Sequence, residues 1–305
     1  MYFENINRDS IKKIYLASEL SKSMQISDLC AITNSWLAHL YYNFDQYEKL
    51  GDSISAVLDL TNKPHCDWIA RISLTISDTL QLSGNWKEAD NWYRIAQRYS
   101  TQDGDRLTLG AVIFNRIAVG LSKVRAEYAL GKTIATDWRR WTTEASSAAH
   151  FHLGLSMAAL PELLSFCNAR ALFLEGRFTE AEHCYRKILE SGHSERCGVN
   201  DAFMWSEIAM CRILNGEGSS RTNVASHLHP DDCNDLAIDD KMIFHTNLME
   251  ISKERSGASA SQELRELASS SIIAYSESSN ILSTQISILR PKLVALSQLL
   301  NSHTH

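Results

Sequence analysis

What the chain has little of narrows it first. Only four prolines and thirteen glycines interrupt 305 residues. So few breakers leave little material for the many turns of a sandwich or barrel, and they favour helices. The charge imbalance is small, formally −6, without the basic excess that a dedicated nucleic-acid binder carries on one face. The opening residues Met1 to Asp9 are mostly polar and hold no apolar core segment, so no secretory signal is expected. The longest uncharged run, Ala145 to Pro161, contains two histidines and three serines and is too short and polar to span a bilayer. Seven cysteines lie scattered at positions 30, 66, 167, 184, 197, 211 and 233, with no disulfide spacing. Cys167 and Cys211 sit in apolar helical surroundings and read as small core residues. A reducing cytoplasm, with neither membrane nor nucleic acid as a partner, is the expectation.

Catalytic signatures are missing too. There is no phosphate loop, no Gly-x-Ser-x-Gly elbow, no His-Glu-x-x-His and no dinucleotide fingerprint. Asp231-Asp232-Cys233-Asn234-Asp235 is acidic, but it follows Pro230 in a polar stretch and has no partner motif around Asn247 to Glu254. It reads as a solvated loop. Two groups of metal-capable side chains stand out: His227, His229, Asp231, Asp232 and Cys233, and His183, Cys184, His193 and Cys197. Neither has paired Cys-x-x-Cys spacing, and His183 and Cys184 point to different sides of a helix. No metal, cofactor or catalytic residue is expected, and the chain does not read as an enzyme.

What is present is self-similarity. Gly84-Asn85-Trp86-Lys87-Glu88-Ala89 leads to Tyr93-Arg94, and 92 residues later Gly176-Arg177-Phe178-Thr179-Glu180-Ala181 leads to Tyr185-Arg186. In a helix starting after the glycine, Trp86, Ala89, Tyr93 and Ala96 share one face. The small Ala89 and Ala181 admit a close neighbour, and each glycine can end the preceding helix in a left-handed conformation. Each copy is thus the hinge and second helix of an antiparallel hairpin. Weaker copies lie around Gly131, at Trp205 to Gly216, and from Trp36 to a turn near 43–47.

The pattern resembles the tetratricopeptide repeat, with its Gly-x-aromatic-x-x-Ala-x-x-x-Tyr core. The glycines at 84, 131, 176 and 216 are 47, 45 and 40 residues apart, longer than the roughly 34 of that family. The resemblance implies an all-α, right-handed solenoid of about five hairpins over residues 1–216, with 217–305 as a C-terminal helical cap in which Pro291 marks a kink or start. It also implies that the first helix of each hairpin lines a concave surface. Counted back from the turns, that surface carries Arg71, Arg125, Tyr128, Phe166, Arg170, Phe173 and Phe203, a groove of arginine forks and aromatics. The competing expectation is that the arginines pair with acidic residues of neighbouring helices. The Lys-x-x-x-Asn pair of chaperone-tail-binding members is absent. The functional expectation is a non-enzymatic scaffold that binds another protein or peptide. The alternative is a ligand- or peptide-sensing regulatory module acting through a partner protein. At the N-terminus, Ile11, Ile14 and Tyr15 begin one apolar stripe, and Leu16 and Leu20 extend the apolar face beside it.

Overall fold

The computed structural model describes residues 8–60, 66–132, 140–141, 143–144, 160–217, 228–256 and 259–302. These residues form eleven α-helices and no strand. They are α1 (Arg8–Ser23), α2 (Ser27–Asn43), α3 (Tyr47–Asp59), α4 (Cys66–Leu82), α5 (Trp86–Gln102), α6 (Arg106–Ala129), α7 (Leu160–Leu174), α8 (Phe178–Ser191), α9 (Asp201–Leu214), α10 (Ile238–Ser256) and α11 (Gln262–Ser302). Short 3₁₀ turns cover Ser194–Cys197 and Pro230–Cys233. His227, most of the uncharged run 145–161 and most of the weak copy after Gly131 lie outside the described residues.

One turn geometry recurs along the chain. At Gly84 the amide donates to the Gln81 carbonyl and the next amide, of Asn85, to Leu80. The same pair of bonds closes the turns at Gly104, Gly131, Gly176 and Gly216, and each of these glycines has a positive φ, from 66° to 85°. This is the Schellman closure, in which a left-handed residue lets the chain satisfy two orphan carbonyls of the helix just ended. Gln25 and Asp45 take the same place at φ 57° and 55°, where an L side chain is strained. Asp45 is held there by the Tyr47 hydroxyl, which donates to its carboxylate at 2.8 Å.

The chain divides into two compact units, residues 1–116 with 277–305, and residues 117–276. The division differs from the boundary expected at 216. Two helices contribute residues to both units, α6 and the 41-residue α11. In the first unit Leu282, Ile286, Leu289, Leu293, Leu296 and Leu300 of α11 join the core of α2 to α5. These six alternate four and three residues apart, the spacing that keeps one seam against its neighbours. Gly51 of α3 allows a close approach, since a Cβ there would lie 2.1 Å from the Gln285 side chain. Lys292 donates to Asp59 at 2.6 Å and Arg98 to the Leu300 carbonyl at 2.9 Å. Pro291 neither starts nor ends this helix. It sits on the exposed side, where the carbonyl it leaves unbonded meets water.

The second unit packs Phe166, Phe173, Ala181, Tyr185, Phe203 and Phe244 around α7 to α10. Ala89 and Ala181 are both buried. Helix α6 is the one described helix long and apolar enough to cross a membrane. More than half of its apolar window is buried inside the protein.

Candidate functional site

Six of the seven residues expected to line a groove come together in the second unit. Arg125 lies over the Phe173 ring at 4.4 Å, Tyr128 meets Phe173 edge-on at 5.5 Å, and Arg170 lies over Phe166 at 4.3 Å, with Phe203 6.2 Å from Phe166. Arg71 belongs to the first unit, where it lies over Trp36 at 3.7 Å and donates to Thr108. The clustering is that of an interior. All but Tyr128 are buried, and Arg125 and Arg170 each face a buried carboxylate, the arrangement of the competing expectation.

Arg125 grips Glu207 with two donors, Nε to Oε2 at 3.1 Å and Nη2 to Oε1 at 2.6 Å. Asn247 donates to the same carboxylate at 2.7 Å and accepts from Arg125 at 3.1 Å, and the Tyr185 hydroxyl donates at 3.0 Å. Burial alone would push the Glu207 carboxyl up. The Arg125 charge and these donors outweigh it and hold the group below its ordinary value. Arg170 donates to Asp240 through Nη2 alone. Burial works against the charge of Arg170, and the Asp240 carboxylate overcomes it.

The equivalent tyrosine of the other repeat copy, Tyr93, donates to Asp78 at 2.6 Å, and Asn115 donates at 2.7 Å. No cation is among the groups that shift Asp78, and burial raises its carboxyl to about 7 despite both hydrogen bonds. Its folded value exceeds the unfolded one, so the stability it contributes is complete below about pH 4 and lost as pH rises to about 7. Asp78→Asn should flatten that fall and leave the protein more stable at pH 8, by on the order of 3 kcal/mol. The Asn115 amide would flip to meet the new one. Urea midpoints at pH 5 and pH 8 check this, and equal slopes in both proteins would refute it.

Two further features were not legible beforehand. On α1 the buried side is Ile11, Ile14, Ser18 and Ser21, while Leu16, Leu20 and Met24 stand 67, 60 and 60 % exposed. The apolar face expected beside the stripe at Leu16 and Leu20 is thus exposed, and the helix is apolar on two opposite sides. Ile26 and Leu29 of the same hairpin are exposed as well. In the second unit a cavity of about 490 Å³ is lined by Pro230, Asp231, Cys233, Lys241, His245 and Ser271, among others. There the Cys233 sulfur lies 3.1 Å from His245 Nε2, and His245 Nδ1 lies 2.5 Å from Ser271 Oγ. Neither histidine nor serine carries a motif, and they stand 12 and 26 residues apart in pairs that only packing brings together. No known family model matches this chain. No curated protein matches its sequence.

Proposed function

We propose that the chain is a non-enzymatic protein-interaction module, a right-handed solenoid of tetratricopeptide-like hairpins whose docking surface is the exposed apolar side of its first hairpin. The observation that carries this reading is the stripe Leu16, Leu20 and Met24, flanked by Ile26 and Leu29. Exposed apolar side chains normally occur singly, and a contiguous set marks an interaction surface. Its position supports the same conclusion: the opposite side of α1 already packs on the core, and among the described residues the stripe stays exposed. The recurring Schellman turns and the paired buried alanines support the repeat architecture.

The occupant that fits is an amphipathic helix of another protein, laying leucine-type anchors along the stripe. Lys12 and Lys13, exposed one turn before Leu16, favour an acidic residue at the rim of that helix. The buried arginines play no direct part in this contact. Leu16→Glu with Leu20→Glu should leave the fold intact, since both positions face solvent. It should weaken the partner by at least tenfold, because central interface truncations cost about 2 kcal/mol or more. Quantitative capture from native extract checks this. A stoichiometric protein held by the wild type and lost by the double variant is expected; equal capture by both would sink the reading.

A further inference from the structure

The cavity of the second unit holds a side-chain set that partner docking leaves unused. Cys233 ends the 3₁₀ turn Pro230–Cys233, which is fixed by a capping box between His229 and Asp232. His245 comes from α10 and Ser271 from α11. Sulfur, imidazole and hydroxyl stand in one line of contacts, with the Ser271 oxygen on one ring nitrogen and the Cys233 sulfur on the other. A third group that orients the base, which in turn reaches the nucleophile, is the general arrangement of covalent sites. The cavity around them has the volume of a small-molecule site. Ile238 and Leu267 give it apolar wall, and Asn234 and Lys241 give it polar groups.

We propose that Cys233 and His245 act as a thiol–imidazole pair that captures a small α,β-unsaturated carbonyl compound in this cavity. The step balances with the groups present. The S–H proton passes to His245 Nε2 as sulfur bonds to the β-carbon of the alkene. The π electrons move onto the carbonyl oxygen, giving an enolate beside the Lys241 ammonium. His245 then returns the proton to the α-carbon, and nothing leaves. Acyl capture would need a leaving group and a water for release. A metal fits less well: tetrahedral zinc bonds would set sulfur and nitrogen about 3.5 Å apart, whereas they are 3.1 Å apart here, and no metal-sized group of three ligands exists among the described residues.

The resting state suits this chemistry. Burial pushes the thiol up, with Asp231 and Asp232 acting in the same direction and Lys241 against them. Burial pushes the imidazole down; the Pro230 carbonyl, which accepts from Nε2 only when that nitrogen carries a proton, opposes it, and in the resting state the same carbonyl accepts from the Cys233 thiol at 3.1 Å. Both partners therefore rest neutral, and the histidine is free to accept a proton. The third element lining the cavity, α11, presents Leu267, Ser270, Ser271 and Ala274, none of them charged. The inference stands apart from the docking stripe, which belongs to the first unit.

N-ethylmaleimide, itself an α,β-unsaturated carbonyl compound, is the probe, with labelling of each cysteine in the folded full chain followed by peptide mass spectrometry. Cys233 should react at least tenfold faster than the equally buried Cys167 and Cys211, and its rate should saturate with reagent. The rate should already be on a plateau near neutral pH, following imidazole deprotonation. His245→Gln should slow Cys233 at least tenfold and convert the plateau into a rise at alkaline pH, while leaving the half-buried Cys184 unchanged. Labelling no faster than Cys167, a rate linear in reagent, or a variant with the wild-type profile would each overturn the proposal. Should the variant fail to fold, the wild-type pH profile decides alone, because an alkaline rise without a plateau excludes the histidine as base.

Discussion

Glu207→Ala is expected to destabilise the second unit by about 3–5 kcal/mol, a large part of the 5–15 kcal/mol by which domains are ordinarily stable. Arg125 is 1 % exposed and Glu207 fully buried, so the substitution leaves a guanidinium in the interior without its carboxylate. Asn247 and Tyr185 lose their acceptor in the same stroke. Arg125 cannot shed its proton to relieve the cost. Arg125→Met should be milder, since the stranded Glu207 can take up a proton, and milder still at low pH. The double variant Arg125→Met with Glu207→Leu removes both charges and keeps the volume. It should lie within about 2 kcal/mol of the wild type, because a well-packed apolar replacement of a buried pair is often near neutral. Urea unfolding of the wild type, Arg125→Met, Glu207→Leu and the double variant gives the coupling between the two sites. If the double variant equals the sum of the singles, the pair is not the buried unit described above.

Ala181→Arg should cost still more, on the order of 5 kcal/mol, enough to unfold the second unit at ambient temperature. The site combines two penalties. There is no volume to receive a long side chain where Ala181 meets a core of Phe173, Tyr185 and Phe203, and overpacking alone costs about 1–3 kcal/mol. The added charge has no carboxylate reserved for it, since Glu207 and Asp240 are already engaged. Glu190→Arg on the exposed side of the same helix is the control and should move the thermal midpoint little. A wild-type midpoint for Ala181→Arg would mean that the alanine does not seat a neighbouring helix, and the repeat reading of both copies would fall with it.

Much of the local structure was legible in the sequence. The left-handed turns at Gly84, Gly131, Gly176 and Gly216 follow from glycine's freedom at positive φ, and the buried Ala89 and Ala181 follow from the spacing of three and four that places them on the packed side. Such features depend on neighbours a turn away, and a turn is encoded in consecutive residues. The arginines were found as a cluster with the aromatics, but their role could not be read, because Arg125 meets Glu207 across 82 positions and Arg170 meets Asp240 across 70. The apolar face of Leu16 and Leu20 was legible but its exposure was not, because hydrophobicity records what a side chain prefers, not whether a neighbour covers it. Cys233, His245 and Ser271 belong to three elements with no shared motif. Sequence alone thus determined the helices, their turns and their packed sides, since propensity and periodicity act within a few residues. Tertiary structure decided which charges cancel, which apolar side stays open and which thiol meets a base, since burial and partnership exist only once distant segments pack.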